Sequence, residues 1–492
     1  MESGGIVEFL ENKTILITGA TGFLAKIYVE KILRVQPNVK KLYLLVRAAD
    51  DESAMRRLQD EIIEKDLFNV LREKYGSKLN SFISEKVRPL PGDISLEDLG
   101  VEDSKLKEEM WSEIDVMVNF AASINFEERY DVALSINTMG ALNVLNFAKK
   151  CPNIKMLAHV STAYVCGEDK GLILEKPYLM GEAKKGDEKI DIEGEKKLAE
   201  DKVNQLQSEN VSPKEITSLM KDFGLERARG YGWPNTYVFT KALGEMLLMH
   251  YKDDIPLIIM RPTMITSTLF DPFPGWIEGV RTIDSLIVGY GKGKLTCFVY
   301  LPQNTFDLIP ADMVVNAIIV AMVARANQKR CSDIIYHVGS SLRNIANFSQ
   351  LHDCTYRYFT ANPWINKEGE PVKIGRGTVL SSMTSFYLYM NLRYLLPFKG
   401  LQLANTVMFQ KYQDLCTYLD RKIKLVMRLV QLYKPYILFE GIFEDSNSEK
   451  LRIVAKEMNP DEAKMFNFDP MTIDWKEYMM TAHIPGLHKY SM

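Results

Sequence analysis

Residues 14–25 read Thr-Ile-Leu-Ile-Thr-Gly-Ala-Thr-Gly-Phe-Leu-Ala, and this stretch constrains the fold more than any other. The apolar run Thr14 to Ile17 predicts a buried strand, Gly19 and Gly22 a tight turn, and Ile27, Val29, Ile32 and Leu33 the apolar side of a helix. A strand that turns at glycine straight into a helix offers the free N–H groups and the positive dipole end of that helix to an anion. The expected occupant is a dinucleotide pyrophosphate, bound along Thr18, Gly19, Thr21, Gly22, Phe23 and Leu24. Gly19 permits the turn and Gly22 lets backbone approach the phosphates. Ala25, at the third glycine position, is small enough for close helix–strand packing. Such turns also serve packing alone, so the assignment depends on the rest of the chain.

The following residues extend the pattern. Lys41 to Val46, Val87 to Leu90, Val116 to Phe120 and Met156 to Val160 read as strands, separated by helical segments such as Asp131 to Lys150. This alternation predicts an α/β protein, a Rossmann-type doubly wound parallel sheet whose ligands sit at the carboxyl ends of the strands. From Gly167 to Gly232 the alternation stops, which predicts an insertion on the substrate side. It resumes with a helix from Trp233-Pro234 to Tyr251, a strand at Leu257 to Met260, a helix from Met313 to Arg325 capped by Asp312, and a strand at Ile334 to Val338. The expected organisation is a nucleotide-binding domain over residues 1–345, a linker over 346–385 and a mainly helical C-terminal domain over 386–492. Within the last, Arg421 to Tyr436 is basic and amphipathic, which suits either a docked helix or a membrane surface.

Composition removes other classes. A net charge of −3 over 492 residues gives no field to recruit nucleic acid. The six cysteines form no C-x-x-C pair and the six histidines no H-x-x-x-H array, so no metal site is expected and the cysteines read as reduced core residues. The acidic start has no signal-peptide core, and no uncharged apolar run reaches about 18 residues, so no ordinary membrane span is expected.

Several positions carry candidate chemistry. Arg47 directly follows the second strand, where a guanidinium pairs with a 2′-phosphate; this predicts NADPH, although Asp50 and Asp51 nearby would suit a free ribose hydroxyl. Asp93 and Ile94 after the third strand are placed for adenine, and Ala121 after the fourth for the nicotinamide ribose. Tyr237 and Lys241 share one helical face; the ammonium would favour the phenolate and let the tyrosine act as general acid. Ser161 and Thr162 end the fifth strand, and one of these hydroxyls can hold a developing oxyanion. Asn137 is a candidate for ordering a relay water, whereas His159, inside the strand, reads as a core histidine.

Taken together, Thr18–Ala25, Ser161-Thr162 and Tyr237/Lys241 resemble the extended short-chain dehydrogenases. Residues 40–47 (Lys-Lys-Leu-Tyr-Leu-Leu-Val-Arg), 159–165 (His-Val-Ser-Thr-Ala-Tyr-Val), 232–241 (Gly-Trp-Pro-Asn-Thr-Tyr-Val-Phe-Thr-Lys), 272–276 (Pro-Phe-Pro-Gly-Trp) and 439–443 (Phe-Glu-Gly-Ile-Phe) resemble the plant alcohol-forming fatty acyl-CoA reductases, with their "male sterility" C-terminal domain. That resemblance implies reduction of a long-chain acyl-CoA by two NADPH to a primary alcohol, by way of an aldehyde, for wax or cuticular lipid. It implies Thr162, Tyr237 and Lys241 as the catalytic set. It also implies peripheral association with the cytosolic face of the endoplasmic reticulum, and an apolar tunnel lined by 167–232, 270–276 and part of the C-terminal domain. The competing reading is a reductase or epimerase of a water-soluble carbonyl or sugar nucleotide.

Overall fold

The computed structural model describes residues 5–300, 305–326 and 334–491; Cys331 lies outside them. Seven parallel strands form the central sheet: β1 (Thr14–Thr18), β2 (Lys41–Val46), β3 (Val87–Pro91), β4 (Val116–Asn119), β5 (Met156–Val160), β6 (Leu257–Pro262) and β7 (Ile335–Val338). Their order is β3-β2-β1-β4-β5-β6-β7. Register is set by Thr14 beside Lys41, Ile15 beside Val116, and Val116 beside Met156. The chain order reverses between β1 and β4, which opens the ligand crevice of a doubly wound sheet.

Side-chain alternation divides the core. On one face Ile15, Ile17, Leu42, Leu44, Val116 and Val118 pack with α1 (Phe23–Val35). On the other, Leu16, Tyr43, Leu45, Met117 and Leu157 pack against Val144, Leu145 and Phe147 of α2 (Gly140–Lys149). Both faces are covered, so the strands read as continuous apolar runs.

The insertion holds α3 (Ile192–Ser208), capped by Asp191, and α4 (Pro213–Gly230), capped by Ser212 with Pro213 in its first turn. Buried Glu195 ties them together: it accepts from Tyr130 Oη at 2.7 Å and from Arg227 Nε at 3.0 Å. Then come α5 (Thr236–Tyr251), α6 (Thr282–Gly291) and α7 (Ala311–Ala326). Asp312 differs from the sequence expectation. It lies inside the first turn of α7, and its carboxylate accepts the N–H groups of Leu269, Phe270 and Asp271 at 2.8–3.0 Å, bracing that loop.

The expected linker is largely a packed element. Residues 346–385 contain α8 (Phe348–Ala361), which buries Phe348, Leu351, Cys354 and Phe359 because its apolar side faces α6. The long basic helix α9 (Gln413–Ile437) follows. The C-terminal part is built into the molecule. Gly441–Phe443 pairs in parallel with Gly171–Ile173, and His483 Nδ1 lies 3.2 Å from Ser267 Oγ. Gly486 approaches Gly275 so closely that a Cβ on it would fall 2.0 Å from the Gly275 carbonyl oxygen. No helix among the described residues is long and apolar enough to cross a membrane. The five described cysteines are all free and buried.

Candidate active site

The glycine turn lies at the carboxyl end of β1. Gly19 has φ +65°, and a Cβ there would sit 2.7 Å from the backbone N and Cα of Ala121, so the turn presses against the segment leaving β4. Gly22 is the N-cap of α1 and supplies no side-chain cap, which leaves the first N–H groups of the helix open. Phe23 is held by stacking on Trp276, with ring centroids 5.3 Å apart. Thr18 Oγ1 donates to Asn119 at 2.6 Å, so its hydroxyl is part of the framework. This cradle suits a pyrophosphate, since it combines open donors with backbone that no Cβ obstructs.

At the end of β2 the Arg47 side chain is exposed, and the Arg47 carbonyl accepts from Arg57 Nη1 at 2.6 Å. The Arg57 guanidinium is itself held at Nε and Nη2 by Glu61, 2.6 and 2.9 Å away, so it is already engaged. Asp50, the acidic alternative, uses its carboxylate to cap the next helix at Ser53 N, 2.8 Å away. Asp93 accepts from Ser95 N at 2.8 Å in a tight turn, and buried Ile94 is anchored through its carbonyl by Asn143 at 2.9 Å. Ala121 N–H points at Asn119 Oδ1, 3.2 Å away.

Thr162 and Tyr237 meet. The Thr162 hydroxyl lies near enough to that of Tyr237 to favour its phenolate, while burial has the larger effect and raises the Tyr237 pKa to about 12. Ser161, which follows β5 directly, turns its hydroxyl elsewhere and leaves it buried without a partner among the described residues. Asn235 caps α5 through Val238 N and so sets the angle at which Tyr237 enters the site. Lys241 differs from the sequence expectation. Its ammonium lies against the Val160 carbonyl at 2.7 Å and His159 Nε2 at 3.4 Å, and burial lowers its own pKa to about 8. In this state burial outweighs any lowering of the Tyr237 pKa by the lysine. Asn137 has its amide engaged by Ser123 N, Ser123 O and Thr240 Oγ1 at 2.9–3.0 Å, so it braces α5 rather than holding a relay water.

The C-terminal part reaches this centre, which the sequence did not disclose. Phe126 stacks on Tyr237 at 5.7 Å and on Tyr436 of α9 at 5.0 Å, and Tyr436 Oη accepts from Asn235 at 2.8 Å. Beside Tyr436 and Tyr433 lies a small apolar cavity between Met264, Phe306 and Phe348. It shares Ile283, Leu286, Phe348 and Ile437 with a second cavity of about 710 Å³, open solvent at its mouth included, which runs between α6, α8 and α9 past Phe298 and Val430. Residues 167–232 and 270–276 do not line either cavity; of the expected walls only the C-terminal domain contributes, through α9, and α6 and α8 supply the rest.

The sheet order, the open helix end at a glycine turn and the Tyr–Lys helix beside it define a Rossmann-type nucleotide-binding reductase fold. The chain belongs to the male sterility protein family, whose nucleotide-binding profile matches residues 17–318 and whose C-terminal profile matches residues 393–492. It is 60% identical over 99% of its length to an alcohol-forming fatty acyl-CoA reductase of Simmondsia chinensis, covering 98% of that protein. It is 56% identical to fatty acyl-CoA reductase 1 of Arabidopsis thaliana, with 99% of each chain covered. Among solved structures, the reductase domain of a nonribosomal peptide synthetase from Mycobacterium tuberculosis superposes with a TM-score of 0.57 at 18% identity, over 97% of this chain and 91% of that one. The terminal reductase domain of the myxalamid pathway gives 0.56 at 17% identity, with the same coverage. At such identities the likeness concerns the fold.

Proposed function

We propose that this protein reduces long-chain fatty acyl-CoA to the primary alcohol and free CoA, with NADPH as reductant, in the synthesis of wax or cuticular lipid. The observation that carries the reading is an apolar cavity bounded by Tyr436, the far end of the aromatic stack that begins at Tyr237. The aromatic stack Tyr237–Phe126–Tyr436 forms the near wall, and beyond it the space is bounded by aliphatic and aromatic side chains. Its lining, aliphatic and aromatic almost throughout, suits an alkyl chain. Replacing Leu286, which lines both compartments, by Trp should shift the preference to shorter acyl chains. An unchanged length profile in a folded Leu286→Trp protein counts against the cavity as the acyl site.

Thr18, Gly19, Thr21, Gly22, Phe23 and Leu24 would hold the pyrophosphate, Asp93, Ile94 and Ala121 would flank the adenine and nicotinamide ends, and Arg47 would take the 2′-phosphate. The bound cofactor supplies a hydride. Thr162 holds the thioester oxygen, and Tyr237 gives its proton to the alkoxide that forms there, yielding a hemithioacetal. The hemithioacetal loses CoA thiol to leave the aldehyde. A second reduction follows, in which Tyr237 again protonates the alkoxide. Lys241 stabilises the phenolate left behind and orients the ribose. Arg47→Ala should weaken NADPH binding at least about tenfold while changing NADH binding little, because a charged bidentate contact is lost only for the phosphate. Equal effects on both cofactors refute that role.

Peripheral association with the cytosolic face of the endoplasmic reticulum is supported by the surface of the C-terminal helices. Leu388, Leu392, Leu396, Leu403 and Val407 are exposed, and Phe409 is 96% exposed at the turn before α9. Residues 383–437 carry eight Lys and Arg against two Asp in a chain of net charge −3. This pairing suits an anionic membrane surface. Vesicles containing anionic lipid should co-sediment the protein, and Val407→Ser with Phe409→Ser should reduce the bound fraction severalfold; equal binding by the variant excludes this turn as the contact.

A further inference from the structure

Three buried polar residues stand in a row across the sheet, and the chemistry above does not use their side chains directly. Register sets Thr18 beside Asn119 and Asn119 beside His159, and each is 2% exposed or less. Asn119 Oδ1 accepts the Thr18 hydroxyl at 2.6 Å and the Ala121 N–H at 3.2 Å. Turning the amide over would set its NH2 against that backbone N–H, so the backbone fixes its orientation. Asn119 Nδ2 therefore donates to His159 Nδ1, 3.1 Å away. Burial, helped by Lys241, holds the His159 pKa well below the ordinary range, so the ring is neutral. A neutral imidazole that accepts at Nδ1 carries its proton on Nε2. That nitrogen lies 3.4 Å from Lys241 Nζ. An ammonium there places N–H against N–H, whereas an amine accepts the bond.

We propose that Asn119 and His159 are positioning residues for Lys241: they hold it through an Nε2–H···Nζ bond, favour its amine, and so set the pH above which the site loses activity. The inference rests on the role given to Lys241 under the proposed function. The other charged group acting on Lys241 is Glu245, one turn on along its own helix, and the Glu245 carboxylate is bound by buried Arg261 of β6 at 2.5 Å; Tyr237 lies one turn before it. The ammonium is needed when Tyr237 gives up its proton, so turnover falls as pH rises through the lysine titration. Removing the opposed N–H must move that fall to higher pH.

The test is the pH profile of NADPH-dependent reduction of a long-chain aldehyde by the full-length protein and two variants. His159→Leu deletes the donor. Asn119→Asp keeps the shape, accepts from Nδ1–H, and leaves the Nε2 lone pair for the ammonium; it carries the test if His159→Leu does not fold. Each folded variant should move the basic limb upward by about one pH unit. An unmoved limb in Asn119→Asp, whatever its effect on rate, overturns the proposal and leaves the row a purely structural one. NADPH binding, followed by fluorescence across the same pH range, reads the same titration without turnover. A wild-type protein that binds NADPH but reduces neither aldehyde nor acyl-CoA contradicts the proposed function, while a binding limb that moves in the variants still supports the positioning role.

Discussion

Tyr237→Phe should lower acyl-CoA reduction by about 10³-fold or more while leaving NADPH affinity within about twofold. General acid catalysis by a positioned side chain contributes roughly 10²–10⁴, and the Tyr237 hydroxyl is the group that Thr162 meets at the end of β5. Its ring stacks on Phe126, and Phe keeps that ring, so packing is preserved. Both hydride steps end in an alkoxide, so aldehyde reduction should fall as far as acyl-CoA reduction. Steady-state rates with each substrate, together with a fluorescence titration of NADPH, check this. Retained turnover with either substrate would remove Tyr237 as the acid for that step.

The largest stability effect is expected two turns along the same helix. Glu245 is fully buried and Arg261 nearly so, and the Arg261 guanidinium bridges both Glu245 carboxylate oxygens. Glu245→Gln leaves a guanidinium charge buried without its counter-ion, which costs about 3–5 kcal/mol. Urea denaturation should show that loss as a lower midpoint with an unchanged slope. A loss below about 1 kcal/mol would mean that Tyr178, whose ring faces Arg261 at 5.5 Å, or water already compensates the charge. The pair fastens α5 to β6, so the variant should also loosen the seat of Lys241.

The local signals in the chain were strong where a single element carries the chemistry. The glycine turn, the strand order implied by alternating segments, and the Tyr237/Lys241 pair each depend on spacing within about ten residues, which periodicity reveals. The tunnel was only partly legible: the C-terminal domain was expected in its wall, but α6 and α8 were not, because no local pattern records which apolar faces meet across the chain. The same reason hid Tyr436 and Phe126. A linker was expected at 346–385 because the break after β7 reads as a change of character, whereas α8 is fastened by burial of Phe348 and Phe359. His159 was read as a core residue from its neighbours in sequence. Its partners, Asn119 and Lys241, become visible only when strand ends are set in register. Burial raises the Tyr237 pKa to about 12, an effect of tertiary packing that the Tyr237/Lys241 spacing does not report.

The most direct measurement of the central claim is the product balance of the purified full-length protein given a long-chain acyl-CoA and NADPH. The account predicts a primary alcohol of the same chain length, one CoA thiol released and two NADPH oxidised per alcohol, with NADH a poor substitute. Oxidation of NADPH by short polar carbonyls or sugar nucleotides, with the acyl-CoA left intact, would contradict it.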